Sequence, residues 1–595
     1  MDTPNPAVQV SVSPDPLTHQ FHVRLSLIAP QDCVLRLPNW IRGSYLVRDF
    51  AKHVSRLKAE RDGLALGVER LDKSSFRLKA DAGPVTLSYS VYAYDESVRK
   101  AYLDTRRGFF NASSLVYCPL GFERSGFELQ IEKPAIEAAA HWQVATSLVA
   151  VQTDAAGFGR YHATDYETLI DSPVEMAAFQ RIDFDAGGVP HTLTLSGRVE
   201  ADHARLAADI SRICTVQRTF FGNQPAMPRY WFLTNVTASS YGGLEHREST
   251  ALVCARADLP APGSSGMSKE YRTFLGLVSH EYFHLWNVKR ITPQGFAESD
   301  LQGAAYSRDL WHYEGVTSYY DDLFLLRAGL IDAPSYLDLL AEGATRLERT
   351  PARLTHTLAD ASFETWIKYY QPDEHSPNAS TNYYVKGALV ALCLDLKLRR
   401  DSSSSLDAVM QALWQQYGRD DLPAPERALE RVAAQLSGLD LKPFFDAALR
   451  GTGELPLAET LSDFGVLAQR RVASGDSDGG GRSSAPPQRC TLGCKLKGDG
   501  SIAHVLTGSP AQQIGLAGGD VLIALDGLSV SASSFGRRLQ ALTPGVAVTL
   551  HWFRSDQLMQ AEIIPQAAAS DTWTLSLIEA PSPEVASRRK AWLTV

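Results

Sequence analysis

The chain is poor in cysteine and methionine and has no long apolar run. Seven cysteines among 595 residues, an odd number without close regular spacing, exclude a disulfide framework and read as free thiols in a reducing compartment. Cys490 and Cys494 form the closest pair, but no second pair or histidine cluster accompanies them, so buried or idle thiols are expected there rather than structural zinc. No uninterrupted apolar stretch approaches the length needed to cross a bilayer. Residues 1–6, MDTPNP, have neither the basic start nor the apolar region of a signal peptide, and the expected location is the cytoplasm. An excess of positive charge is missing too. The formal net charge is -9, which favours solubility and argues against nucleic acid as a partner.

With 44% hydrophobic and 21% charged residues, the chain has an ordinary globular composition, and at this length it needs several cores. Up to about Asp165 the pattern is that of short strands. Val8-Gln9-Val10-Ser11-Val12, Phe21-His22-Val23-Arg24-Leu25 and Val85-Thr86-Leu87-Ser88-Tyr89 alternate with period two between Gly, Pro and Asp turns. From about Leu206 the period becomes helical, notably over Lys269 to Arg290 and Leu310 to Arg327. A Gly/Ser/Pro-rich stretch near 470–488 predicts a flexible loop, and strands resume near Thr491. Pro581 to Val595 is polar and basic and predicts a loosely held tail. The expected fold class is multidomain α+β. It comprises a β-sandwich over 1–167, a catalytic domain with a helical part over 168–458, a further domain over 459–570 containing the loop, and a tail over 571–595.

His280-Glu281-Tyr282-Phe283-His284 spells H-E-x-x-H within the helical stretch. Two histidines four positions apart share one helix face, so both imidazoles reach one ion, and the intervening glutamate addresses a water at that ion's open position. A catalytic zinc takes three protein ligands, and Glu314 is the candidate for the third. It lies in Trp311-His312-Tyr313-Glu314-Gly315-Val316-Thr317-Ser318-Tyr319-Tyr320, where an inward carboxylate on an apolar helix is costly unless paired or metal-bound. His312 is a rival, but two positions away on a helix it points to a different face and reads as a surface or supporting histidine.

Together these segments resemble the gluzincin metallopeptidases, and within them the M61 glycyl aminopeptidase family, whose members carry a PDZ domain. The family pattern H-E-Y-x-H-x-W-N-V-K-R is met by His280 through Arg290, and W-x-x-E-G-x-T-x-Y by Trp311 through Tyr319. The N-terminal block Leu35-Arg36-Leu37-Pro38-Asn39-Trp40-Ile41-Arg42-Gly43-Ser44-Tyr45, with Val47-Arg48-Asp49-Phe50, is similar to that family's first domain, with Arg42 replacing a proline. That block implies a structural role beside the cleft. Tyr241-Gly242-Gly243-Leu244-Glu245-His246 resembles the G-x-M-E-N motif of the aminopeptidase N group, with His246 in place of Asn. The resemblance implies that Gly242 and Gly243 let a peptide backbone approach and that Glu245 binds the free α-amine. Tyr383-Tyr384-Val385-Lys386-Gly387 is similar to the superfamily's Y-x-K-G, which implies that Tyr384 stabilises the oxyanion, with Tyr383 as the reserve.

Near the C-terminus, Ser509-Pro510-Ala511, Ile514-Gly515-Leu516 and Gly519-Asp520-Val521-Leu522 resemble a bacterial PDZ domain. Leu492, Gly493 and Cys494 then stand at its carboxylate-binding loop, and a C-terminal peptide is the implied ligand. The chain's own apolar end, Leu593-Thr594-Val595, is of the kind such grooves accept, though a flexible tail is expected. The resemblance implies a thermolysin-like catalytic domain and a Zn²⁺-dependent aminopeptidase. It would act on short peptides with a free N-terminus, preferring Gly or Ala, with Glu281 as general base. Two other readings stand beside it: a zinc endopeptidase guided by its PDZ domain, and a PDZ scaffold whose peptidase domain is inactive. Blocked N-termini separate the first two, and bound metal tests the third.

Overall fold

The computed structural model describes residues 7–594; the 1–6 stretch, where no signal peptide is expected, and Val595 lie outside the described residues. The protein is a multidomain α+β molecule with a β-rich N-terminal part and a helical C-terminal part. It forms two compact units. Unit one runs to Ala305 and adds Trp414–Ala424; unit two takes Tyr306–Leu413 and the chain from Pro425 onward. The expected 168–458 domain is therefore shared between them.

Unit one begins with an eight-stranded sheet of β1 (Val8–Asp15), β2 (Gln20–Ala29), β3 (Val54–Arg61), β4 (Leu64–Ala65), β5 (Gly83–Tyr92), β6 (Phe127–Ile131), β7 (Val149–Thr153) and β8 (Gly159–Ala163). Its order is β7-β8-β6-β1-β2-β5-β3-β4. The alternation seen in the sequence is the physical cause. Val8, Val10 and Val12 face inward with Phe21, Val23 and Leu25, while the residues between them face water. Two four-stranded sheets accompany it.

The second half of unit one positions the site. Its five strands are β9 (Gln180–Ala186), β10 (Val189–Ser196), β11 (Tyr230–Thr237), β12 (Gly242–Glu245) and β13 (Ser249–Ala255), in the order β9-β10-β11-β13-β12. β12 is an edge strand, antiparallel to β13. Helix α1 (His203–Phe220) lies between β10 and β11 in sequence, and α2 (Lys269–Phe283) follows β13. Ser268 caps α2 by accepting from the Tyr271 N–H. Phe274, Leu275 and Val278 bury one side of it completely. Gln217 of α1 donates to the Ser279 carbonyl and hydroxyl, both at 2.9 Å, so the helices are joined by polar bonds as well as packing.

Unit two opens with a π-helical turn, Trp311–Val316, continuing into α3 (Thr317–Arg327), and then α4 (Ala333–Glu348) and α5 (Tyr383–Asp401). Residues 490–567 have their own core around Leu492, Ile502, Leu522, Phe535 and Trp552, with short strands and helix α6 (Ala532–Ala541). One expectation is corrected here. The 571–595 region is no loose tail: Thr572–Leu577 pairs with Val466–Arg471, and Pro583–Leu593 forms helix α7. Trp592 of α7 is fully buried and donates to the Tyr319 hydroxyl of α3 at 3.1 Å. Arg327 and Arg399 hold the Trp592 and Ala591 carbonyls at 3.2 and 2.7 Å. After Arg471 the stretch to 488 has no helix or strand; within it Asp478 pairs with Arg471, and Arg482 with Asp338 at 2.7 Å. Among the described residues no helix is long and apolar enough to cross a membrane, and the seven cysteines are all unpaired.

Candidate active site

Helix α2 delivers three of the expected residues. His280 is half-buried, and Glu281 and His284 are buried. The His280 and His284 rings meet edge-on with their Nε2 atoms 3.1 Å apart. His284 Nδ1 lies 2.8 Å from the Asn287 carbonyl. A carbonyl only accepts, so that nitrogen carries the proton and the Nε2 lone pair faces His280. Tyr282 points the other way, its hydroxyl 3.0 Å from His191 Nε2 in the core.

After the helix the chain turns sharply. Val288 takes a φ of 96°, a conformation a β-branched residue adopts only when its surroundings force it. That turn aims Asn287 at His284 and sends Lys289 to Asp171, whose Oδ1 it approaches at 2.5 Å. The same carboxylate receives the Arg247 N–H at 2.9 Å and lies 3.1 Å from His246 Nδ1. Asp171 therefore ties the end of the histidine helix to the residues immediately following β12. Burial pushes its pKa up, but the Lys289 charge and the bonds from His246 and Lys289 outweigh it and hold the carboxyl well below the usual range. His246, where the aminopeptidase N motif has Asn, is a buried partner of this carboxylate.

Strand β12 brings Gly242, Gly243 and Glu245 alongside. Glu245 is 3% exposed, and one ligand atom each from Glu245, Glu281 and His284 lies within 4.8 Å of the others. Gly243 is required by space: a Cβ there would fall inside the Glu281 carboxylate. Gly43, from the N-terminal block, is required twice over. Its φ is +89°, and a Cβ would overlap the Glu245 carboxylate. The neighbouring charged residues are otherwise engaged. Arg42 pairs with Glu167, Arg48 donates to Ser44, and Asp49 pairs with Lys73.

Unit two holds the remaining candidates. Glu314 is buried in the π-helical turn. This turn packs on the start of α5 through two glycines: a Cβ on Gly315 would lie 2.5 Å from the Gly387 Cα. Both motif glycines are thus explained by close backbone contact. Tyr383 is fully buried and its hydroxyl accepts from Thr365 at 2.9 Å. Tyr384 is half-buried; burial raises its pKa, and the Glu314 carboxylate is the largest charge acting on it in the same direction. His312 is not at the surface. It is 1% exposed, stacked on Tyr313 with centroids 4.3 Å apart, and burial pushes its pKa down to about 3.

At the C-terminal loop, Gly493 has a φ of +71°. Its N–H is taken by the Thr491 hydroxyl at 3.0 Å, and Ala511 donates to the Leu492 carbonyl at 2.9 Å. Cys494 begins a short strand paired with Ile502–Val505.

Residues 7–178 match the Peptidase M61 N-terminal domain, and residues 273–390 match the M61 glycyl aminopeptidase domain. The structure is similar to that of an aminopeptidase N family protein from Idiomarina loihiensis, at 38% identity and a TM-score of 0.94, over 99% of this chain and 100% of that one. Comparison with curated proteins gave no match.

Proposed function

Because the chain belongs to the M61 glycyl aminopeptidase family and is a peptidase, we propose that it is a zinc aminopeptidase releasing N-terminal residues, Gly or Ala, from short peptides. The observation that carries this reading is the clustering of Glu245 with Glu281 and His284. An endopeptidase has no use for a second carboxylate so close to the base, whereas a free α-ammonium needs one.

The donor set suits zinc. Two imidazole nitrogens on one tetrahedral zinc are separated by roughly 3.3 Å, and the Nε2 atoms stand at 3.1 Å. His280, His284 and Glu314 are the proposed ligands, and the bond from His284 Nδ1 to Asn287 fixes the tautomer that ligation needs. When bound, the metal supplies a Lewis acid that polarises the peptide carbonyl and acidifies water. Glu281 takes the proton of the attacking water and returns it to the departing amine. Tyr384 donates to the oxygen that becomes negative, with Tyr383, whose hydroxyl accepts from Thr365 and keeps its own proton, in reserve. Glu245 holds the α-ammonium, and Gly242 and Gly243 admit the backbone. Residues 490–567 act as a PDZ domain for a C-terminal peptide, with Leu492, Gly493 and Cys494 at its carboxylate loop. The unpaired cysteines support a cytoplasmic setting.

The test is Glu281→Gln. It keeps its zinc by elemental analysis and loses at least about a thousandfold in kcat on glycine and alanine anilides. Full activity in that variant refutes the mechanism. Equal turnover of N-acetylated peptides by the parent enzyme would instead favour an endopeptidase.

A further inference from the structure

Arg99 lies in the loop between β5 and the strand Ala101–Leu103, and no sequence motif points to it. Its Nη2 donates to the Gly243 carbonyl at 2.9 Å, and a Cβ on Gly242 would sit 3.7 Å from its Nη1. The loop is held on both sides. Asn111, fully buried, donates to the Val98 carbonyl at 2.9 Å and to the Lys100 carbonyl at 3.3 Å. Lys100 is neutralised by Asp95 at 2.7 Å. Arg99 is not neutralised: among the described residues it has no carboxylate partner, and its buried Nε has no hydrogen-bond acceptor. A guanidinium fixed beside an edge strand with no counter-charge is suited to an anion that arrives with a ligand and meets its terminal nitrogens.

Geometry limits which anion. Glu245 and Gly242 are the two ends of β12, and a strand rises about 3.3 Å per residue, so they are separated by roughly 10 Å. An extended peptide spans at most about 3.3–3.6 Å per residue. A tripeptide lying along the open side of β12, its amine at Glu245, therefore ends beside Arg99. We propose that Arg99 binds the C-terminal carboxylate of the substrate, so that the enzyme is built for tripeptides with both ends free. This rests on the aminopeptidase reading of Glu245.

The experiment compares kcat/KM for Gly-Ala-Ala and its C-terminal amide, with glycine anilide as the substrate that tests the underlying reading. The wild type should prefer the free acid by about tenfold to a hundredfold, the worth of a charge-assisted hydrogen bond, and the difference should lie in KM. In Arg99→Gln the acid-to-amide ratio should collapse toward one, and Arg99→Lys should restore part of it. A role confined to bracing Gly243 would lower both peptides together and leave the ratio intact, which would overturn the proposal. Equal use of acid and amide by the wild type would overturn it as well. If the anilide is cleaved, such a failure belongs to Arg99 alone. If the anilide is not cleaved, the aminopeptidase reading and the proposal fall together.

Discussion

Replacing Asp171 with alanine should destabilise unit one severely. The carboxylate and the Lys289 ammonium are 2.5 Å apart, with side chains 10% and 6% exposed. At an effective dielectric constant near 20, that separation corresponds to about 6–7 kcal/mol of gross attraction, much of it offset by the desolvation of both ions. The larger effect is asymmetric. Asp171→Ala strands a buried ammonium and removes the acceptor for the Arg247 N–H and the partner of His246. Breaking a buried pair from one side costs about 3–5 kcal/mol. For a unit of this size about 2 °C is lost per kcal/mol, so thermal unfolding followed by tryptophan emission should fall by about 6–10 °C. Lys289→Met in the same chain removes the stranded charge and should recover more than half of the loss. The pair also sets a pH dependence. A carboxyl held below its ordinary value contributes stability that is complete above about pH 4 and is lost as the pH falls through the folded pKa. A loss under about 1 kcal/mol in Asp171→Ala, or a double variant no more stable than the single, would refute the reasoning.

Gly43→Ala should leave zinc content intact but raise KM for glycine anilide at least about tenfold, because the methyl group displaces the Glu245 carboxylate. Asp309 is 7% exposed, and burial pushes its pKa up to about 7. The folded state thus binds the proton more tightly, and stability falls as pH rises from about 4 to 7. Asp309→Asn, which can still accept from the Arg427 N–H, should melt near the wild type at pH 4. At pH 8 it should be more stable by up to about 4 kcal/mol. Trp592→Ala should cost unit two about 3–5 kcal/mol, read as an earlier unfolding transition.

The parts of the site that were legible in the sequence are those whose chemistry is local. His280, Glu281 and His284 share one helical turn, and the glycines of β12 sit beside the glutamate they serve. Period-two alternation likewise placed β1, β2 and β5. What could not be seen depends on contacts between distant residues. Gly43 lies about two hundred positions from Glu245, Asp171 more than a hundred from Lys289, and Arg99 reaches a backbone carbonyl, which leaves no side-chain signature at all. The 583–593 helix was missed because its long run of polar residues carries only one large aromatic, and a single buried tryptophan makes no periodic pattern. Of the two readings of His312 only the surface one fails, because helical geometry says which way a residue points, not what stands there.

The helix that carries Trp592 has a consequence for the turn that holds Glu314. Its tryptophan and last carbonyls are what Tyr319, Arg327 and Arg399 close upon, and Tyr319 follows Glu314 by little more than one helical turn. Trp592 stands 273 positions from the Tyr319 it braces. Without these contacts α3, which continues the turn bearing Glu314, loses polar anchors at Tyr319 and Arg327. A change in this distant helix should therefore loosen the turn that bears Glu314 without altering any residue beside it.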